Sequence, residues 1–507
     1  MTGSELLAGG AWSEARHAFE AALAERESAE ALEGLGLAAW WLDDGETVFE
    51  SRERAYKLYL DADDKRSAAR IAAWLAWDCL AFRGESAVAN GWLQRARRLL
   101  EGLPESTELA WLEARESQLA LAEEGDPDRA HRHATEAIRV ARAAKSIDYE
   151  MLGRALQGLA LVASGAVAEG MRLLDEVNAA IVAGELTDQI AIGLSSCYLI
   201  AACDRVRDYD RAVQWCTRLK AFCEKWEFRP LFAVCRTQYA SICLWRGTWL
   251  EAEQELTAAT SELAASRPAM TADGIVRLAE LRRRQGRLVE ANALFEQAAH
   301  HPLAALGRAE LAFDRGDARA AAEAAERYLR RVPLHNRTDR VVALDLLVRA
   351  LAATGEADGA KTALAELQAI ATVVGTVPLR AAASLAAGYV ALGPASADRA
   401  DDARRHLEDA VDLFLQSGAP YELARARIEL ARALGRLGRI EPALEEAQRA
   451  VDLLSELHAE LEISRAKGLM ESLSSAAPAR SPTAPPAGLS VRRLKCCAWW
   501  PTASTIK

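Results

Sequence analysis

Cysteine is the most reactive residue type in this 507-residue sequence, and six of its nine cysteines lie between Cys197 and Cys243. No two of these six have the two- to four-residue spacing of a zinc knuckle, and no histidine lies among them. Cys216 and Cys223 are seven residues apart, which places both on one face of a helix. The pattern favours free thiols buried as small apolar side chains, with a redox sensor as the alternative.

Motifs for nucleotide chemistry are weak. The sequence contains no Gly-x-x-x-x-Gly-Lys-Ser/Thr motif, which excludes a P-loop ATPase. The segment from Gly34 to Ala39 matches a loose dinucleotide-binding pattern, Gly-x-Gly-x-x-Ala, but that pattern requires a preceding strand within a βαβ unit. Here it lies in an Ala/Leu-rich segment before Trp40 and Trp41, so we expect these glycines to serve helix packing.

Histidines and carboxylates also lack catalytic spacing. The pair His300 and His301 has no cysteine or carboxylate cluster at ligand spacing. Acidic pairs such as Asp43 and Asp44 fall at turns or helix starts, where carboxylates cap helices. We therefore expect no catalytic residue, no metal site, no cofactor and no enzymatic activity.

A repeat of about forty residues must position all of these side chains. Each copy begins with Gly or a polar residue, has Ala five residues later, and has an apolar residue about four further on. Successive copies start about 40 residues apart or about twice that distance, with one shorter step between Gly286 and Gly316. The copies begin at Gly10, Gly84, Gly125, Arg207, Gly247, Gly286, Gly316, Gly355 and Gly438.

One repeat unit is predicted to be a helical hairpin. Gly ends the first helix in a left-handed conformation, and Ala opens the second helix where the two backbones approach closely. In the copy after Gly286, Ala291, Leu294, Phe295 and Ala298 form one apolar helix face. A single hairpin cannot bury such a face alone, so neighbouring hairpins must stack.

The Gly-x-x-x-x-Ala-x-x-x-Phe pattern resembles the tetratricopeptide repeat, with a period nearer forty than the usual thirty-four. It predicts an all-α, tetratricopeptide-like superhelical solenoid of about 11–12 helical hairpins over residues 1–473. In such solenoids the first helices line the concave surface. The resemblance therefore implies that Arg236 and Tyr239, in the aromatic and basic stretch 197–249, contact a partner there, while most aromatics of that stretch belong to the core.

Charge is distributed unevenly along the chain. The sequence has 62 Lys plus Arg and 73 Asp plus Glu, for a net charge of −11. The last acidic residue is Glu471, and residues 476–507 carry five cations and no acid, so the preceding part carries −16. A body this acidic repels phosphate backbones and is a poor DNA-contacting surface.

The C-terminal residues suggest a change of reading frame. Residues 474–490 form a Ser/Ala/Pro-rich linker, and residues 491–507 form a short basic tail. Read one nucleotide earlier, the codons of Arg493–Lys507 plausibly encode Val-Glu-Val-Leu-Arg-Leu-Val-Ala-Asp-Gly-Leu-Asn-Asn-Gln. This resembles the opening of the LuxR-type helix-turn-helix domain. We therefore interpret the tail as an out-of-frame remnant of that domain, with a simple disordered basic end as the alternative.

Two functions remain open from the sequence. The first is the signal-sensing array of a LuxR-type bacterial transcriptional regulator without a working DNA-binding domain, and the second is a freestanding adaptor that scaffolds a protein complex. Both predict a protein or small-molecule effector on the array, with DNA a partner only if the helix-turn-helix domain were restored. Homo-oligomers are compatible with both. The sequence contains no apolar membrane span or signal peptide, so we expect a cytoplasmic protein with no membrane partner.

Overall fold

A computed structural model describes residues 2–226, 229–393 and 399–476. Over these ranges the chain forms 25 α-helices and no strand, which confirms the predicted all-α class. A π-helical segment, Cys79–Arg83, and a 3-10 turn, Pro268–Met270, complete the elements. The helices are α1 Gly3–Ala8, α2 Trp12–Glu25, α3 Ala29–Trp41, α4 Gly45–Asp61, α5 Lys65–Asp78, α6 Ser86–Leu100, α7 Thr107–Ala122, α8 Pro127–Ala143, α9 Ile147–Ser164, α10 Val167–Ala183, α11 Gln189–Val206, α12 Tyr209–Trp226, α13 Arg229–Arg246, α14 Trp249–Ser266, α15 Thr271–Arg284, α16 Leu288–Gln297, α17 Pro302–Asp314, α18 Ala318–Arg331, α19 Arg337–Thr354, α20 Ala357–Val374, α21 Val377–Ala391, α22 Ala400–Ser417, α23 Pro420–Arg436, α24 Ile440–Leu457 and α25 Glu460–Ala476.

The helices pair into twelve hairpins, α1–α2 to α23–α24, followed by α25. Each repeat signature lies at the turn between an odd-numbered first helix and an even-numbered second helix, as predicted. The turn glycines have positive φ, for example +82° at Gly286, which glycine adopts without a Cβ clash. The alanine that opens each second helix is at most 1% exposed, at Ala15, Ala89, Ala130, Ala212, Ala252, Ala291, Ala321, Ala360 and Ala443.

First and second helices form two layers. First helices contact both their own hairpin partner and the first helix of the next hairpin. They are therefore buried on most sides: α7 and α21 each bury 11 residues, whereas α6 buries four. Second helices carry most of the exposed large apolar side chains, such as Leu250 and Val289. The first helices thus form the inner layer of the array and the second helices the outer layer.

The array coils until its later hairpins contact its earlier ones. Four hydrogen bonds join first helices of early hairpins to first helices of later hairpins. The acceptors are backbone carbonyl groups at or just after the C-terminal ends of the early helices, and the donors are side chains at or just before the N-terminal ends of the later ones. The donors and acceptors are Arg267 to Trp40, Asn336 to Gly125, Arg337 to Ser164 and Thr376 to Val206, at 2.7 to 3.1 Å. The partners lie five to six hairpins apart, so one superhelical turn contains five to six hairpins. We refer to this set of four contacts as the inter-turn joint.

Three of the 13 tryptophans form an aromatic ladder along the early first helices. The rings of Trp40 and Trp74 lie 6.1 Å apart, those of Trp74 and Trp111 lie 5.0 Å apart, and those of Trp111 and Tyr149 lie 5.8 Å apart. Each hairpin contributes one ring, and neighbouring rings contact at tilted or edge-on angles that aromatic pairs prefer. Trp40 and Trp111 are buried, and Trp74 and Tyr149 pack against the core from partly buried positions.

The C-terminal predictions lie mostly outside the described residues. The last helix, α25, extends to Ala476, three residues beyond the predicted end of the array at 473. The linker 474–490, from residue 477 onward, and the tail 491–507 are outside the described ranges. Within those ranges, no helix combines the length and apolarity that a bilayer span requires.

Candidate functional site

Two cavities open on the inner layer of the later hairpins. Cavity A has a volume of about 420 Å³ and is lined mainly by first helices from α11 to α23. Cavity B has a volume of about 370 Å³ and is lined by α19, α21, α23, α25 and the turn between α17 and α18. Arg283, Arg349 and Arg425 line both cavities. Volumes of this size suit a small molecule or an inserted side chain.

Two of the three shared arginines are neutralised by carboxylates. Arg283 contacts Glu280 at 2.8 Å and Asp314 at 2.6 Å. Arg349 is paired with Glu310 and with Asp345, the latter at 3.0 Å. Side chains this deeply buried must be paired, since an isolated charge in a protein interior is costly.

Glu280 connects this network to Arg284. Its carboxylate accepts hydrogen bonds from Arg283 and Arg284, each at 2.8 Å. Burial opposes ionisation of Glu280, but the two guanidinium groups outweigh it and lower its pKa to about 2. Arg284 also lies 3.0 Å from Glu422 and 4.7 Å from the ring centre of Tyr421, so it bridges α15 and α23.

Arg425 differs from the other two shared arginines. Among the described residues its guanidinium makes no hydrogen bond and no ion pair, and its nearest aromatic ring, that of Tyr421, is centred 6.0 Å away. Tyr389 and Tyr421 line cavity B, and their hydroxyl groups likewise have no hydrogen-bond partner in the described part of the chain. Three groups that donate hydrogen bonds are therefore left unused in one cavity.

Cavity B is lined by charged side chains of both signs. Its lining contains six arginines and three carboxylates. The carboxylates belong to Asp314, Glu429 and Glu462, and burial raises the pKa of Glu429. Arg432 and Arg465 have carboxylate partners, whereas Arg436 is exposed and has no ion-pair partner within the described ranges. Within those ranges, Arg425 and Arg436 are therefore the lining cations without a carboxylate contact.

The predicted partner-contacting residues lie at the seam inside one hairpin. Arg236 pairs with Glu255 at 2.5 Å, and the Tyr239 hydroxyl donates to Glu251 at 2.9 Å. Both acids belong to α14, whereas the α13 residues that line cavity A are Gln238, Ser241, Leu244 and Trp245. A partner contact through Arg236 and Tyr239 stays a prediction, and neither residue lies at the cavities.

Four of the five described thiols are buried, Cys197 is half-buried, and none of the five forms a disulfide, in line with the predicted free thiols. Burial raises the pKa of Cys79 and Cys243 to about 11 and that of Cys216 to about 12. Such thiols are poor nucleophiles near neutral pH, because the thiolate is the reactive form. The side chains of Cys223 and Cys235 lie outside the described residues.

The remaining sequence motifs are structural. Gly34 and Gly36 lie within α3, and a Cβ at Gly34 would lie 2.2 Å from the Phe19 ring, so glycine permits close helix packing as predicted. Asp44 caps α4 by accepting from the Thr47 amide at 3.1 Å. Over the described ranges, no group of three or more His, Cys, Asp and Glu side chains is placed to hold a metal ion.

Sequence reasoning missed Arg425, Tyr389 and Tyr421. Their one sequence signal is their position on first helices, α21 and α23, which line the inner face. That position does not distinguish Arg425 from the paired Arg349 on α19, because the pairing depends on acids from other helices.

The fold and this inner face define the class of the protein: an all-α superhelical array of stacked helical hairpins. No protein-family model matches the chain, and no curated protein matches it.

Solved structures of similar fold include the APC/C hetero-tetramer Cut9–Hcn1, at 14% identity and a TM-score of 0.47, over 93% of this chain and 95% of that chain. A Rap protein complexed with competence and sporulation factor is also 14% identical, with a TM-score of 0.42, over 78% of this chain and 99% of that chain. The human IFIT1 dimer with PPP-AAAA is 14% identical, with a TM-score of 0.39, over 84% and 90%. With TM-scores below 0.5, these likenesses identify neither a partner nor a ligand.

Proposed function

We propose that the chain is a non-enzymatic adaptor that binds a protein partner along the inner face of its first helices. The observation that supports this is the inner face itself, where two cavities meet at Arg283, Arg349 and Arg425 and hydrogen-bond donors remain unused. Repeat arrays use such extended inner surfaces for recognition. The bound partner is expected to insert a side chain or short segment into cavity B.

Filling cavity B tests this function without removing a charge. Ala353 lines cavity B, and Ala369 is an exposed alanine on α20 that lines neither cavity. Partners captured from an extract by the full chain are identified and their affinity is measured with purified components. Ala353→Trp should weaken a true partner about tenfold or more, since Trp occupies space that the partner needs. Ala369→Trp is the matched control. Equal affinity of the two variants for every partner would contradict the proposal.

The second candidate is a regulator of LuxR type whose DNA-binding domain is out of frame. The observation that favours it is the shifted reading of Arg493–Lys507, which resembles the start of a helix-turn-helix domain and follows a linker. In that case the array senses an effector and this chain lacks operator binding. Sequencing the gene tests this directly, because a helix-turn-helix sequence must continue in the neighbouring frame. Restoring the frame should then confer DNA binding, and a chain that still fails to bind DNA would leave the adaptor as the better reading.

A further inference from the structure

Arg425 is a cation of cavity B that no described carboxylate contacts. Arg283 contacts three carboxylates and Arg349 contacts two, whereas Arg425, which lines the same space, has none within ion-pair distance among the described residues. Its side chain is half-buried, and Asp345 and Glu462 attract its charge from a longer distance. A guanidinium stays protonated at any pH that the protein survives, so Arg425 offers a permanent positive charge to an anion that enters the cavity.

The neighbouring hydroxyl groups favour the same kind of partner. Burial raises the pKa of Tyr389 to about 12 and also raises that of Tyr421. Both phenols therefore remain protonated at neutral pH and can donate hydrogen bonds. The Tyr421 ring is held in place by Arg284, 4.7 Å from the ring centre, and by Trp249, at 5.6 Å between centroids. Its hydroxyl is thus a fixed donor rather than a mobile one.

We propose that cavity B binds an anionic group, a carboxylate or a phosphate, on the segment that the partner inserts, with Arg425 as its charged contact and the Tyr389 and Tyr421 hydroxyls as donors. Arg425 and Arg436, the lining cations without a carboxylate contact among the described residues, both lie on α23 and favour an anion there. Carboxylates and phosphates both match the guanidinium because two of their oxygens can accept parallel hydrogen bonds. The inference rests on the proposed binding function, because both place recognition on the inner face.

Calorimetry on the full chain tests the site with two probes, inorganic phosphate and citrate, each titrated at a constant total ionic strength set with sodium chloride. Binding of phosphate with little binding of citrate assigns the site to phosphates, and the reverse result assigns it to carboxylates. Binding of neither probe overturns the proposal. Failure of the anion test with partner capture intact leaves the adaptor function standing, so the two failures are distinguishable.

Arg425→Gln separates binding from folding. This variant should lose about tenfold or more in affinity for the bound probe, since a charge-assisted contact is removed. Without probe, its thermal unfolding midpoint should equal or exceed that of the parent, because an unpaired cation beside Arg283 and Arg349 has gone. Tyr389→Phe should lose a few-fold in affinity, as expected for one neutral hydrogen bond.

The matched control is Arg98→Gln, which makes the same chemical change at an exposed arginine on α6. Its affinity and its probe-dependent rise in unfolding midpoint should match those of the parent. Equal loss in both variants would assign the effect to general charge, and unchanged affinity in Arg425→Gln would remove Arg425 from the site. Either result overturns the proposal.

Discussion

Replacing Arg267 with alanine should loosen the contact between the two superhelical turns. Arg267 follows α14 and is 1% exposed. It donates to Asp43 at 2.6 Å and to the Trp40 carbonyl at 2.7 Å. Its guanidinium lies 4.2 Å from the Trp40 ring centre and 4.5 Å from that of Phe82. One side chain thus holds together segments that are 224 residues apart in sequence.

The expected loss follows from what the truncation leaves behind. Removing one member of a buried ion pair costs about 3–5 kcal/mol when its partner stays buried and charged. The Asp43 side chain keeps 16% exposure, so it regains part of its hydration, and the cost falls toward the lower end. We therefore expect Arg267→Ala to lower the free energy of unfolding by about 3 kcal/mol. Because the early hairpins keep their own neighbours, the first effect should be separation of the turns.

Urea unfolding and small-angle X-ray scattering measure these two effects. The variant should unfold at lower urea, with a larger radius of gyration before the main transition. Arg139→Ala is the control, since Arg139 forms exposed ion pairs with Glu105 and Glu136 on the surface of the early hairpins. If Arg267→Ala matches Arg139→Ala in both measurements, Arg267 does not hold the turns together and the reasoning fails.

Three further predictions concern packing, thiol chemistry and pH. Gly34→Ala should lower the free energy of unfolding in urea by about 1–2 kcal/mol, because its Cβ would lie 2.2 Å from the Phe19 ring. Gly91→Ala, in open space on α6, should instead raise it by about 0.5–1 kcal/mol. A Gly34→Ala variant more stable than the parent would contradict this packing. Cys203 should resist iodoacetamide at pH 8 in the native chain, as peptide mapping can show, because burial raises its pKa; labelling at the unfolded rate would refute this. The pKa of Glu280 is lowered to about 2, so its ionised carboxylate adds about 3 kcal/mol to the free energy of unfolding above pH about 4.5, and this stabilisation is lost as the pH falls toward 2. Glu280→Gln should reduce the dependence of the free energy of unfolding on pH in this range. An unchanged dependence would exclude Glu280 as its source.

The hairpin repeat could be predicted wherever its turn follows local chemistry, and two hairpins show where that stops. After the α9–α10 turn, Gly170 occupies the position of the repeat alanine, five residues after the turn glycine. Its backbone lies so close to Gly158 that a Cβ at Gly158 would lie 2.8 Å from the Gly170 carbonyl oxygen. In the α3–α4 turn Asp43 takes the positive φ, at +59°, and Val48 takes the buried alanine position. Aspartate tolerates this conformation, so the turn forms without the glycine signal.

Long-range contacts lie beyond local pattern. The partners of Arg267 depend on how many hairpins complete one superhelical turn, and that number follows from small packing angles repeated at every hairpin. The site cannot be predicted for the same reason, since Arg349 pairs with Glu310 of α17 while Arg425 has no carboxylate within ion-pair distance in the described part of the chain. Nothing in the residues around Arg425 encodes that difference.

Cavity B and the contact between turns are physically linked. Its lining combines Arg283 of α15 with Arg425 of α23 and Arg465 of α25, and Arg465 reaches Asp314 across 151 residues of sequence. Contacts between distant hairpins therefore build the cavity, and separating the turns takes it apart. By linkage, a ligand that binds the assembled cavity must stabilise the stacked turns by RT ln(1 + [L]/Kd). Loosening the contact between α17 and α25 should weaken the same ligand, because part of the binding energy would go into restacking these two helices.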